Sequence, residues 1–464
     1  MEPRALRFVV SACGGELQNG SLQTRVLRLC TDSRHVQPDD LFFALTGERF
    51  DGHDYLDEAA RKGAVAVVAA RNKMPGDFKA CAVILVEDTR KALGRLAAAY
   101  RKDFSLPVAA VAGSNGKTTT KELAASVLKQ AFPILCSESS FNNEVGVPIT
   151  LLNLESSHGA AVLEVGTNHP GELAPLVHMI QPGYGIITNI GREHLEFFGD
   201  VAGVAQEQGS LAELLPEQGK LFLPGDSEWI GTIVQRTKAR VVRIGCQPGN
   251  DWRVVSLRAN RQGVTFKIDA PQAAFAGEYR VNLLGRHQAV NALFAIALGA
   301  ELGLDRESIE HGLAECKPAK MRLQLWEHKG VRVLDDAYNA NADSMLAALQ
   351  TLQELACEGR RVAVLGDMAE LGAQSEAAHE EVGRRAAELG VGQLFAVGKM
   401  APVMARGARD AGLNRVLEFE DVETAAAAVK RFVKGGDVVL LKASRASRLE
   451  RISERLRRCE CREN

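Results

Sequence analysis

No run in this chain approaches the roughly 20 consecutive apolar residues that a helix needs to cross a bilayer, so stable membrane insertion is not expected. An excess of either charge is missing too: 56 Lys and Arg stand against 58 Asp and Glu, a formal net charge of -2. Nothing in that balance draws the chain towards nucleic acid or an anionic membrane. No C-x-x-C pair occurs, and the nine cysteines are scattered and odd in number, with only Cys459 and Cys461 close together. Reduced thiols in a cytoplasmic protein are therefore expected, not zinc knuckles or a disulfide framework. The opening MEPRALRFVVSACGGELQNG has only a brief apolar run, which Gly14, Gly15 and Glu16 interrupt before a signal-peptide core can form. Internal repeats and low-complexity tracts are absent as well.

What remains is ordinary globular composition, 46% hydrophobic and 25% charged. At roughly 150 residues per domain the length implies about three domains. Residues 1–104 mix short apolar runs with polar turns, then offer a buried strand at 63–70 and an Ala-rich helix at 89–104. Residues 105–317 open with PVAAVA (107–112), an apolar strand running into Gly113, followed by helical spacing over 118–132. Further strands fit 159–166, 183–191 and 219–226, and a helix fits 283–304. Strands alternating with helices imply a mainly parallel sheet covered on both faces. The polar stretch ECKPAKMRLQ (315–324) marks the second boundary. Residues 318–464 then alternate strands (331–335, 360–366, 393–398, 415–419, 437–444) with helices (375–390, 422–433), the rhythm of a doubly wound Rossmann-like domain. The last residues, SERLRRCECREN, read as a charged, solvated helix end.

The clearest chemistry lies at Gly113-Ser114-Asn115-Gly116-Lys117-Thr118, between a buried strand and a helix. Glycines there let backbone N–H groups turn towards an anion, and the helix amino terminus adds a favourable dipole. Lys117 can reach terminal phosphates, and the Thr118 hydroxyl can ligate Mg²⁺. A glycine-rich turn that only caps a helix is the plainer alternative; strand, loop, Lys-Thr and helix together disfavour it. The loop is shorter than the general phosphate-binding form, since Val111 occupies the place of its first glycine.

GSNGKTTTKE resembles the ATP loop of the Mur ligases and of the related folylpolyglutamate synthetases. The resemblance extends along the whole chain, through FNNEVGVPITLL (141–152), LEVGTNHPGEL (163–173), NIGREHLEFFGDVAGVA (189–205), DDAYNANADSM (335–345), LGDMAELG (365–372) and LLKASRASRLERI (440–452). These blocks are similar to the branch of the family that adds D-alanyl-D-alanine; the D-N-P-R motif of the diaminopimelate-adding branch is missing. TDSR (31–34) and GERFDGHDY (47–55) resemble the family's uridine-nucleotide domain, which a folate ligase would lack.

The resemblance implies an α/β fold of three domains: a small uridine-nucleotide domain, a central P-loop-type ATPase domain and the Rossmann-like domain. It implies ATP and Mg²⁺ as cofactors, and UDP-N-acetylmuramoyl-tripeptide and D-alanyl-D-alanine as partners of a monomer. A substrate carboxylate would take the ATP γ-phosphate, and an incoming amine would attack the acyl phosphate. Site residues follow position by position. Ser33, Arg34, Gly52 and His53 would hold the uridine precursor. Residues 113–119, with Thr119 included, would hold ATP, and Thr118, Glu164 and His194 would contact Mg²⁺. Mg²⁺ prefers oxygen, which makes His194 the weaker ligand. Asn142 and Asn143 would line the phosphate and acceptor region unless they only form an Asn-rich turn, and His287 and Asn291 would lie near adenine unless they cap a helix. Arg322 would reach the ATP phosphates on domain closure, and Asp336, Asn339 and Asn341 would face nucleotide and dipeptide. Lys442, Ser444 and Arg445 would face the cleft, a surface charge cluster being the alternative.

Three positions depart from the pattern. Gln208 stands where the family has a lysine that becomes carbamylated and supports a second Mg²⁺. A weaker metal site with activity retained, substitution by the adjacent Glu207, or impaired catalysis are the open readings, and the first is the expectation. Gln288 replaces an Asn beside His287, and Ala443 replaces a Gly. A sibling ligase with another amino-acid substrate, or a degenerate binding protein, are the competing functions.

Overall fold

The computed structural model describes residues 1–47 and 49–457. Its strands form a nine-stranded, a six-stranded and a five-stranded sheet, with one small two-stranded ribbon. In the first sheet of the chain, Ala82–Val86, Ala66–Ala70, Asp40–Phe43 and Arg28–Cys30 are parallel neighbours and Glu16–Asn19 closes one edge antiparallel. The helix Thr89–Arg101 joins it to the central sheet. Leu93, Leu96, Ala97 and Tyr100 on that helix belong to one core with residues of both sheets. Tyr100 is fully buried, and its hydroxyl accepts from Glu2 N (2.7 Å) and donates to Leu154 O (2.7 Å).

Val108–Ala112 is fully buried inside the nine-stranded sheet, third from one edge, flanked in parallel by Ala160–Glu164 and Tyr184–Ile187. Five-residue β-branched and alanine runs with no polar member suit a strand covered on both faces. The chain leaves Val108–Ala112 towards one edge of the sheet and leaves Tyr184–Ile187 towards the other. Between strands whose connections diverge, loops separate and a crevice opens at the carboxyl ends. Trp252–Asn260, Gly263–Asp269 and Gly277–Val281 extend this sheet as an antiparallel meander that the strand–helix rhythm did not announce.

The six-stranded sheet is parallel except for its edge strand Gln324–His328, which lies just beyond the polar stretch read as a boundary. Of the charged tail, Glu450–Arg457 is helical, and Cys459 and Cys461 lie outside the described residues. The expectation of a purely solvated end over 453–464 is corrected: Leu456 is buried in the core one turn on from buried Ile452, and Ser453 Oγ donates to Asp335 (2.7 Å).

Candidate active site

The loop after Val108–Ala112 is held from several sides. Gly113 (φ +115°) and Gly116 (φ +81°) adopt backbone that side chains avoid, and a Cβ on them would lie 2.4 Å from Thr188 Oγ1 and 2.7 Å from Asn291 Oδ1. Asn189 accepts from Ser114 N through its carbonyl (3.0 Å) and from Asn115 N through its side chain (2.6 Å). Thr188 Oγ1 donates to Asn115 O (2.6 Å). Lys117, the first residue of the helix Lys117–Leu128, lies across the loop, with Nζ 2.5 Å from Gly113 O and 3.1 Å from Ser114 O.

Beside the loop is a cleft of about 350 Å³, shared by the central and last units. It brings together Ser114 to Thr119, Asn142, Asn143, Glu164, His194, Arg322, Asn339, Asn341 and Ser444, all named from sequence. Glu164 ends its strand in register with Val111 and is 1% exposed. Its Oε1 accepts from Asn142 Nδ2 (2.9 Å), and its Oε2 is buried without a partner among the described residues. A buried carboxylate oxygen left unpaired is costly, so this is where a cation or donor belongs. Among the described residues no cluster of three His, Cys, Asp or Glu could hold a metal. Thr118 and Glu164 still fit Mg²⁺, which takes one or two carboxylates and fills its remaining positions with phosphate oxygens and water. His194 fits less well, because Mg²⁺ prefers oxygen; its Nδ1 bonds Glu370 of the last unit, which leaves Nε2 to face a cation. Its backbone is left-handed (φ +48°), which marks the loop as tightly constrained.

The two asparagines divide. Asn142 reaches Glu164, while Asn143 Oδ1 accepts from Val145 N (3.2 Å) and Gly146 N (2.9 Å), the side-chain turn offered as its alternative. Asn341 is a helix cap paired reciprocally with Ser344, and its Nδ2 donates to Asn115 Oδ1 (3.0 Å). The Arg322 guanidinium lies over the Tyr338 ring, 4.2 Å from its centre.

Other expected residues support the cleft without lining it. Asn291 backs Gly116 and donates to Gln288 Oε1 (2.8 Å), whose amide nitrogen is 3.0 Å from His287 Nε2. Gln288 thus links His287 to Asn291, one turn of helix apart. His287 makes no side-chain cap bond. The expectation that Lys442 and Arg445 face the cleft is corrected. Lys442 is buried in an ion pair with Asp336 Oδ2 (2.5 Å) and donates to Asn339 O (3.0 Å), because two charges so far from water must satisfy each other. Arg445 turns out to Glu450 (3.2 Å). Asp336 Oδ1 also accepts from Leu323 N (3.1 Å), so it too is engaged internally. Ser33, Arg34, Gly52 and His53 lie on the first unit, away from this cleft. Both nitrogens of buried His53 are in use, Nδ1 with Asp51 (2.6 Å) and Nε2 accepting from Ala70 N (2.9 Å). Exposed Arg34 pairs with Asp32 (2.6 Å), Ser33 Oγ is 3.4 Å from Glu58, and a Cβ on Gly52 would meet Leu45 N at 2.8 Å.

Glu207 does not substitute for the missing lysine. Its carboxylate accepts from Leu173 N (2.8 Å), Gly171 N (2.8 Å) and Thr167 Oγ1 (3.2 Å), pinning the start of the helix Leu173–Ile180. Consecutive helix residues project about 100° apart, so Glu207 and Gln208 serve different surroundings. Sequence reading also passed over Ser140, Glu193, Tyr338 and Glu370, which line the cleft. Glu193 and Glu370 stand inside the quoted blocks NIGREHLEFFG and LGDMAELG, a signal that was available.

Three Mur ligase models match in order: "Mur ligase family, catalytic domain" over 26–101, "Mur ligase middle domain" over 111–299, and "Mur ligase, glutamate ligase domain" over 321–445. The UDP-N-acetylmuramoyl-tripeptide--D-alanyl-D-alanine ligase of Escherichia coli (strain K12) is 36% identical over 447 residues, 94% of this chain and 96% of that protein. This chain belongs to the Mur ligase family. The Bacillus subtilis (strain 168) enzyme of the same name is 34% identical, covering 97% of this chain and 98% of its own length. Among Mur ligase structures, a MurF from Acinetobacter baumannii superposes with a TM-score of 0.90 at 32% identity, covering 98% of this chain and 99% of that one. The MurF ligase of Thermotoga maritima in complex with ADP gives 0.79 at 29% identity, over 92% and 96%. The three-domain α/β fold is that of these ligases, and the chain is an ATP-dependent amide-forming ligase.

Proposed function

We propose that this chain joins D-alanyl-D-alanine to UDP-N-acetylmuramoyl-tripeptide, with ATP consumed, to form the pentapeptide precursor of peptidoglycan. The observation that carries the reading is the pre-set phosphate loop beside Glu164, whose buried oxygen lacks a partner, in a cleft that the last unit covers with Arg322, Asn339 and Asn341. Relatives bearing that enzyme name over nearly their full length support it.

The division into 1–104, 105–317 and 318–464 accompanies the reading, each unit holding one reactant. Loop N–H groups and Lys117 hold the ATP phosphates; Asn291 and His287 form the wall behind the loop towards the adenine. Thr118 and Glu164, with His194 beyond them, would hold Mg²⁺, which neutralises phosphate charge. Asn142 and Asn143 lie on the acceptor side, and Ser33, Arg34, Gly52 and His53 shape the uridine-precursor surface of the first unit. The tripeptide carboxylate attacks the γ-phosphorus as the bond to ADP breaks. The dipeptide amine then attacks the acyl carbon, phosphate leaves, and the nitrogen loses a proton. Positioning and charge neutralisation dominate such transfers, so Lys117 and Arg322 flanking the phosphates are the groups the chemistry needs. Asp336 and Lys442 act indirectly: their ion pair fixes Asn339, which with Asn341 and Ser444 borders the dipeptide side, while Arg445 lies outside the cleft.

No helix among the described residues is long and apolar enough to cross a membrane, and the seven described cysteines are unpaired, which supports a cytoplasmic enzyme. We take it to act as a monomer. Phosphate release from ATP, Mg²⁺ and the tripeptide precursor should require D-alanyl-D-alanine. Equal release with other amino acids or dipeptides would overturn the substrate, and no release from folded protein would overturn the ligase reading.

A further inference from the structure

Glu193 is used by nothing assigned above. It is 4% exposed, yet it lines the cleft beside the phosphate loop. Its Oε1 accepts from Gln208 Nε2 (2.9 Å), and its Oε2 is 3.4 Å from Lys117 Nζ. Gln208, 1% exposed on the helix Val201–Glu213, uses its other end to accept from Gly113 N (2.8 Å). An amide placed between a backbone N–H and a carboxylate has no second orientation: the carbonyl must meet the donor and the NH₂ the acceptor. Gln208 therefore ties the first residue of the loop to the Glu193 carboxylate. The long contact to Lys117 is the weaker of the two bonds to Glu193, so the amide sets the carboxylate's direction.

We propose that Glu193, aimed by Gln208, is a second carboxylate facing the nucleotide-bound cation, alongside Glu164. The inference rests on the nucleotide reading above. Two buried carboxylates border the loop, and one of them, Glu164, has an oxygen with no partner. Hard divalent cations collect such oxygens. Glu193 is a cation-facing group, and Gln208 is a positioning residue. Because Gln208 has no amine that could take up carbon dioxide, metal–nucleotide binding by this chain owes nothing to bicarbonate.

The rival reading is that Glu193 only balances Lys117, and the two predict opposite behaviour. A counter-ion competes with phosphate for the lysine, so its removal would tighten nucleotide binding whether metal is present or not. A cation-facing carboxylate matters only when metal is present. Calorimetric titration with ADP, in Mg²⁺ and separately in EDTA, tells them apart. Glu193→Gln should weaken binding about tenfold or more in Mg²⁺, in line with the usual cost of disturbing a metal site, and leave EDTA affinity unchanged or tighter. Gln208→Met, which keeps the carboxylate and frees it, should weaken the Mg²⁺ affinity several-fold, again with little change in EDTA. Bicarbonate removal should alter neither. Glu193→Asp, whose shorter carboxylate still bonds, should fall between wild type and Glu193→Gln and provides the measurement if the glutamine variant does not fold. Equal affinities for wild type and Glu193→Gln in Mg²⁺, or tighter binding in both buffers, would overturn the inference and leave the nucleotide reading standing. Failure of the unchanged protein to bind ADP in either buffer would overturn both.

Discussion

At Glu164 one carboxylate oxygen bonds Asn142 and the other has no protein partner, so the residue is built to be completed by something that enters the cleft. Glu164→Gln keeps the shape and removes the charge; phosphate release in the coupled reaction should fall about 10²–10³-fold, the scale of losing one preorganised electrostatic contact. Lys117→Met should cost at least as much, with thermal denaturation showing folding unaffected, because among the described residues the lysine bonds only its own loop and Glu193. One histidine carries a separate, structural prediction. Burial pushes the pKa of His379 down, and its Nε2 accepts from Met368 N (2.9 Å). A base whose folded pKa lies below its unfolded value of about 6.5 stays neutral when folded and takes up a proton on unfolding. Stability should therefore be fully present above pH 6.5 or so and decline as pH falls below it. Urea midpoints at pH 7.5 and 5.5 check this, and His379→Gln should flatten the slope.

On the scale of elements, the phosphate loop works because the strand before it and the helix after it are both fixed. Gly116→Ala would hold a side chain at φ +81° and set its Cβ 2.7 Å from Asn291 Oδ1. About 1–2 kcal/mol of backbone strain is expected, more with the clash, together with weakened nucleotide binding. The helix Ala342–Glu354 begins at the cleft with the reciprocal Asn341–Ser344 cap. Asn341→Ala should cost about 1 kcal/mol in denaturant unfolding, as cap losses do. It should also raise the KM for dipeptide, since Asn341 borders that side of the cleft, and for ATP, since the contact with Asn115 of the phosphate loop goes with it.

For the whole molecule, the cleft exists only while the last unit rests on the central one. Arg192 is the main clasp, bonding Asp343 through its guanidinium (2.7 Å) and backbone N–H (2.8 Å) and Glu381 (2.6 Å). Tyr338 to Ser140 (2.5 Å) and the His194–Glu370 bond add to it. Leu195, Phe198, Val204 and Leu284 of the central unit join the last unit's core. The Arg192 side chain is 29% exposed, so salt should loosen this clasp. Arg192→Ala should enlarge the radius of gyration in small-angle scattering, and wild type should expand towards it as ionic strength rises. An unchanged profile would mean that the apolar contacts alone hold the closed form.

Much of this was legible before any coordinates. The apolar runs at 107–112 and 437–444, the helical spacing at 375–390 and the Gly-Lys-Thr loop depend on neighbours in sequence, and local periodicity encodes them. The Trp252–Val281 meander escaped because its strands are half exposed at a sheet's end and show no continuous apolar run. Roles that depend on partners far along the chain were decided only by the tertiary structure. Nothing adjacent to Lys442 says that Asp336, 106 residues away, will bury it, nor to Gln208 that it will join Gly113 to Glu193. Glu207 and Gln208 are neighbours in sequence, but the roughly 100° of rotation between them on the helix sends them to different partners, since a side chain's chemistry is set by the direction in which the backbone projects it. The sequence by itself determined the three-domain α/β architecture and the identity of the phosphate loop, because both are written in local periodicity and contiguous motifs. Which buried carboxylates would meet at that loop was left to the packing of segments that only folding brings together.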